Sequence, residues 1–174
     1  LEANLRTPGL AGYQMLDLHD YLGQGTALIG VLDAFWDPKS YVTGEEFRRF
    51  NSATVPLARL KQRTFTTAEK LTAEAELYHF AASPVGNVTP YWKIVDASGR
   101  VAREGEWPAR MISAGKNIPL GEIAADLSPL PAPGAYKLVI GLRSTQIEND
   151  WNFWLYPAQA DAAVPPQVMI AHTW

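Results

Sequence analysis

The sequence predicts a mainly β chain organised around a β-sandwich of about seven strands. Three observations carry this expectation. Short stretches with alternating apolar and polar side chains recur between turn residues. Thirteen Gly and thirteen Pro supply the turns. The run Asn149-Asp150-Trp151-Asn152-Phe153-Trp154-Leu155-Tyr156-Pro157 gathers four aromatic residues between Trp151 and Tyr156 at strand spacing. In an extended strand Trp151, Phe153 and Leu155 share one face, and Asn152, Trp154 and Tyr156 share the other. Such a strand is either buried on both faces or offers its second face to a partner. An aromatic platform for a sugar ring is the more specific version of the second case.

The elements follow in order. Residues 1–6 read as the tail of a helix stopped by Thr7-Pro8-Gly9. Residues 12–20 read as a strand bounded by Gly12 and Gly23, and Thr26 to Phe35 form a second apolar stretch broken by Gly30. Thr43 to Phe50 read as a short helix, with Thr43 and Glu46 at the spacing of a capping box. Leu57 to Phe65 is a strand candidate. Lys70 to Phe80 alternates, with Leu71, Ala73, Ala75 and Leu77 opposite Thr72, Glu74 and Glu76. Tyr91 to Asp96 and Val101 to Trp107 form a hairpin about the turn Asp96-Ala97-Ser98-Gly99-Arg100, and Trp92 is expected to plug the core between the sheets. Ile118 to Leu127, Gly134 to Arg143 and Ile147 to Tyr156 complete the strands. Residues 158–166 read as a proline-rich linker, and Val168 to Ala171 as the start of a following domain.

Composition narrows the function. The apolar fraction is 47% and the charged fraction 19%, ordinary for a globular protein. A net charge of −3 with scattered Lys and Arg argues against a nucleic-acid partner. With zero Cys there are no disulfides, thiolate metal sites or Cys nucleophile. No apolar run reaches the ~20 residues of a membrane span, so no membrane partner is expected. The first residues do not form a signal peptide and carry no initiating Met, so the chain reads as cut from something longer. Gly23-Gln24-Gly25 lacks the length and the Lys of a phosphate loop. His79 and His172 are lone histidines, and Asp33 and Asp37 lack the pattern of a calcium loop. No cofactor and no metal site is expected.

Two stretches carry a resemblance. Leu5-Arg6-Thr7-Pro8-Gly9-Leu10-Ala11-Gly12-Tyr13-Gln14-Met15-Leu16-Asp17-Leu18-His19-Asp20-Tyr21, continuing through Gly23 to Asp37, and then Asn149 to Pro157, in this order and separation, resemble the C-terminal part of bacterial family 2, β-galactosidase-like glycoside hydrolases. The resemblance implies that residues 1–54 are the C-terminal remnant of a (β/α)8 barrel, including its last strand. It further implies that 55–157 are an immunoglobulin-like β-sandwich and that 158–174 are a linker and the start of a next domain. Many relatives carry a Trp-rich last strand; Met15 to Asp20 has no Trp. It also implies a bacterial periplasmic or extracellular setting.

Retaining glycosidases need two carboxyl groups ~5 Å apart. In that family both are Glu on earlier barrel strands, and no Glu here stands in a matching context. No catalytic residue is therefore assigned, and the chain alone is expected to be inactive. By the resemblance, His19 and Asp20 would lie at the C-terminal end of a barrel strand, where substrate contacts arise. Gln14 and Asp17 would sit deeper. Two functions follow. The sandwich supports the barrel of a carbohydrate-degrading enzyme, its partners being the rest of the parent chain and, through the parent, carbohydrate. Alternatively the sandwich is a carbohydrate-binding module using Trp154, Tyr156 or Trp107. Residues 12–35 carry Leu16, Leu18, Leu28, Ile29, Val31 and Leu32, expected to be buried against the sandwich or by self-association.

Overall fold

The architecture was obtained as a computed structural model and is described for residues 1–26 and 28–159. Two short helices, α1 (Glu2–Arg6) and α2 (Gly44–Phe50), precede ten strands. These are β1 (Thr54–Leu60), β2 (Thr64–Thr66), β3 (Lys70–His79), β4 (Val85–Val88), β5 (Pro90–Asp96), β6 (Val101–Glu106), β7 (Arg110–Ile112), β8 (Gly115–Asp126), β9 (Gly134–Leu142) and β10 (Glu148–Tyr156). One sheet has the order β1-β3-β8 and faces a second of order β2-β10-β9-β5-β6, with β4 and β7 as a separate pair. All pairings are antiparallel except that of β2 with β10.

The result is an immunoglobulin-like sandwich. Early in β9 the Tyr136 hydroxyl donates to the Pro131 carbonyl at 2.7 Å, the tyrosine corner of such folds. The expected alternation fills the space between the sheets: Leu71, Ala73, Ala75 and Leu77 of β3 are buried, opposed by Leu138 and Ile140 of β9 and by Trp151, Phe153 and Leu155 of β10. Phe153 sits at the centre, edge-on to Phe65 at 5.7 Å and stacked on Tyr136 at 5.5 Å.

Several expectations are corrected. The strand count rises from about seven to ten because β2, β4 and β7 are three or four residues long, too short to show a period. Leu57 to Phe65 is two strands in different sheets, the chain crossing over at 61–63. Residues 12–20 form no strand. Asp17 takes φ 62°, outside the extended region, and the segment makes a single bridge, His19 to Leu32. Trp92 is half-buried rather than a core plug. It lies over Gly105 of the edge strand β6, where an added Cβ would come within 2.6 Å of the indole nitrogen. Among the described residues the buried Trp is Trp151. Trp107 is half-buried over Gly121, whose φ of 150° only glycine adopts without strain, so it offers no open platform. Glu76, which alternation puts opposite the apolar face, is buried and bonded to Arg59 and Asn117. Residues 160–174, with His172 and the apolar seed at 168–171, lie outside the described residues.

Candidate functional site

Strand β10 organises the surface of interest. Its inner residues are buried, so its outer residues Glu148, Asp150, Asn152, Trp154 and Tyr156 form a row along the outer face of the five-stranded sheet. The first part of this strand works as a clamp on the residues that precede the sandwich. Asn149 Nδ2 donates to Glu2 Oε1 at 2.6 Å and to the Pro56 carbonyl at 3.0 Å, and the buried Trp151 Nε1 donates to Glu2 Oε2 at 2.9 Å. Asp150 pairs with Arg49 of α2 and with Lys137 Nζ at 3.0 Å. Arg49 also reaches Glu148 at 3.8 Å. Helix α2 exists because Thr43 and Glu46 cap it reciprocally; the Thr43 N–H donates to the Glu46 carboxylate and holds it below its ordinary range.

The other sheet holds α1 from its far side. Lys116 Nζ donates to the carbonyls of Asn4, Thr7 and Leu10 at 3.2, 3.0 and 2.6 Å, gathering the end of the helix and the chain that leaves it. Arg59 and Asn117 both donate to the Arg6 carbonyl, at 2.9 and 2.8 Å, and both donate to the buried Glu76 carboxylate at 3.2 Å. Arg6 returns a bond to the Ala58 carbonyl at 2.5 Å. Leu5 is buried with Val55 and Leu57, a small satellite core that joins α1 to β1.

The second part of β10 is open. Trp154 is 46% exposed and Tyr156 49%. Their cross-strand neighbours are small: Thr64 and Ala135 beside Trp154, and Thr66 beside Tyr156. A groove of about 450 Å³ adjoins Trp154, lined by Asn152, Lys137, Ala135, Tyr136 and Asp96 among others. The Asp96 carboxyl is drawn down to about 2, first by the Ser98 hydroxyl and then by the N–H groups of Arg100 and Ser98. It braces the turn at the rim of the groove.

His19 and Asp20 lie in the segment between the helices. Asp20 is buried; its Oδ1 accepts from Gly30 N–H at 2.9 Å and from Lys39 Nζ at 2.7 Å, and Lys39 foremost lowers its pKa. The His19 ring stands 4.4 Å from that of Trp36. These contacts join His19 and Asp20 to residues 30–39, whereas Trp154 and Tyr156 share the outer face of β10. Gln14 is exposed and Asp17 half-buried. Asp33 accepts from the N–H groups of Phe35 and Asp37 and closes its own turn. His79 is fully buried between the Thr54 hydroxyl and the Ser83 carbonyl, a structural role. Among the described residues no group of three or more His, Asp or Glu could hold a metal ion, and no helix is long and apolar enough to cross a membrane. Leu16 (79% exposed), Leu18, Leu28 and Ile29 remain exposed, so the expected folding of 12–35 back onto the sandwich does not occur; Val31 and Leu32 are half-buried.

Residues 69–157, just over half of the chain, match the sequence profile of the family described as Domain of unknown function (DUF8488). The chain belongs to this family. The DUF8488 match begins one residue before β3 and ends one residue after β10, so it contains the clamp and the open aromatic pair but neither β1 nor β2. No curated protein matches the chain. Similar solved structures include the Parabacteroides merdae β-glucuronidase (7% identity, 59% of this chain and 14% of that one, TM-score 0.40). The sporulation control protein Spo0M of Bacillus subtilis is also similar (8% identity, 61% and 50%, TM-score 0.41). So is the sensor domain of the anti-sigma factor RsgI4 of Pseudobacteroides cellulosolvens (12% identity, 68% and 92%, TM-score 0.38). The chain thus spans about a seventh of the β-glucuronidase. Likenesses at these scores carry no argument about function.

Proposed function

We infer that this chain is a non-catalytic region of a carbohydrate-degrading protein, in which the DUF8488 sandwich holds the preceding segment in place. The observation that carries this reading is the clamp. Glu2, Asn4, Arg6 and Arg49 are tied to both sheets through Asn149, Trp151, Asp150, Lys116 and Arg59. A sandwich that spends buried hydrogen bonds on a neighbouring segment is suited to support what that segment belongs to. The parent class rests on the two stretches that resemble family 2 glycoside hydrolases, residues 5–37 and 149–157. On this reading 1–54 are the end of the catalytic barrel, with 26–50 its exit, and 55–157 the domain after it, in a bacterial periplasmic or extracellular enzyme. The exposed Leu16, Leu18, Leu28 and Ile29 then meet the rest of the parent chain, or in the isolated chain a second copy.

The test is direct. Purified chain incubated with aryl galactoside, glucuronide and mannoside is expected to release no aryl alcohol. Turnover abolished by Asp20→Ala would contradict the reading.

A second reading is favoured by one specific observation. Trp154 and Tyr156 are exposed rather than packed under residues 12–50, as a carbohydrate-binding surface requires. The two readings use different parts of β10 and are compatible.

A further inference from the structure

Resting on that second reading, we propose that the strip Asn152–Trp154–Tyr156 binds a neutral oligosaccharide laid along β10, with successive sugar rings stacked on the two aromatic side chains. The argument starts from spacing. Residues two apart in a strand place their side chains on one face about 7 Å apart. A single sugar ring covers one of the two aromatics, whereas a chain of rings covers both.

Access comes next. Thr64, Ala135 and Thr66 are too small to shield the rings laterally. Exposed aromatic faces are amphipathic contact surfaces, suited to the apolar CH faces of a polyhydroxyl ligand. The groove beside Trp154 extends the strip and supplies a polar wall. Asn152 offers both a donor and an acceptor there, and among the described residues no side-chain hydrogen bond engages its amide. Its carbonyl already accepts from Arg63 Nη1 at 3.0 Å.

Among the described residues the strip carries no uncommitted carboxylate or ammonium built to hold a charged sugar, which favours a neutral ligand. The carboxylates and ammonium around the strip are engaged within the protein. Lys137 is paired with Asp150 at 3.0 Å, and Asp96 with Arg100 at 3.1 Å. Glu69 accepts from the Thr66 N–H and hydroxyl at 2.6 and 2.9 Å, and from Gln62 at 3.1 Å. A cationic sugar would find no uncommitted carboxylate in this strip; the cation there without a carboxylate partner among the described residues is Arg63, whose Nη1 donates to the Asn152 backbone carbonyl.

The experiment is affinity electrophoresis of the whole chain through gels containing xylan, hydroxyethyl cellulose, galactan or mannan. It is followed by calorimetric titration with the mono- to hexasaccharides of whichever polymer retards it. The expected result is retardation by at least one polymer and affinity rising about tenfold or more from one ring to three. Trp154→Ala and Tyr156→Ala should each lower affinity about tenfold, with melting temperature unchanged. Retardation by none of the four overturns this inference and the binding reading together, leaving the clamp untouched. Retardation that survives both substitutions overturns the site while the binding reading stands, and equal affinity for one and three rings overturns the two-ring geometry. A dimer in light scattering that Trp154→Ala dissolves would make the strip an interface between copies and overturn its assignment to sugar.

Discussion

The two ends of strand β10 obey the same alternation and do different work. On the inner face Trp151, Phe153 and Leu155 are buried along its length. On the outer face Glu148 and Asp150 are paired with Arg49 of α2, whereas among the described residues no such partner is laid over Asn152, Trp154 and Tyr156. A period of two decides which residues share a face. It does not decide which part of that face is covered. Cover comes from α2, roughly a hundred residues earlier, and from where its capping box starts it.

The largest effect expected is on the face the two ends share. Phe153→Ala removes the ring packed on Phe65 and Tyr136 and should cost about 3–5 kcal/mol, a melting-temperature drop on the order of 10 °C. Trp92→Ala should cost less, because Trp92 is half-buried beside the edge strand β6. Equal losses would reject the placement of the core at β10.

Arg49→Met probes the covered end alone. It leaves Asp150 with Lys137 as its remaining cation and should cost about 1 kcal/mol. The accompanying signature is faster amide exchange in 44–50 with the sandwich unaffected. Slower or unchanged exchange there would mean that α2 is held by something other than the ion pair.

The smallest effect lies at the open end. The Asp96 carboxyl ionises at about 2 in the folded chain against about 3.9 when unfolded. A depressed folded pKa means that its stabilisation is complete above about pH 4 and is lost as pH falls towards 2. Asp96→Asn should therefore flatten that part of the stability curve, its small loss present at neutral pH and fading as pH falls towards 2. A loss at pH 2 as large as that at pH 7 would contradict the assignment.

The sandwich was legible because its signals are local. The alternation in 70–80, the turn at Asp96-Ala97-Ser98-Gly99-Arg100 and the faces of 149–156 lie within single strands or hairpins. So was the capping box at Thr43 and Glu46. The clamp was not legible, because Glu2 and Trp151 are 149 residues apart and no spacing rule joins them. Asn149 and Asp150 at the head of an apolar strand were its only trace, and they read equally well as a strand end. The strand expected over 12–20 failed for the converse reason. Its Gly boundaries and mixed composition suit a strand, but a strand also needs a backbone partner, and Asp17 turns the chain out of the extended region. Trp92 was singled out by position in the strand order, which does not reveal that its neighbour β6 is an edge.

The central claim is that the sandwich grips the segment before it through the head of β10. A double-mutant cycle between Glu2→Gln and Trp151→Phe, read by denaturant unfolding, tests it most directly, since the cycle isolates their interaction from what each substitution does to packing. A coupling of about 1 kcal/mol or more is predicted for a hydrogen bond to a partly buried carboxylate. A coupling within about 0.3 kcal/mol of zero would mean that Glu2 and Trp151 are neighbours without being a clamp, and the account would fail at its foundation.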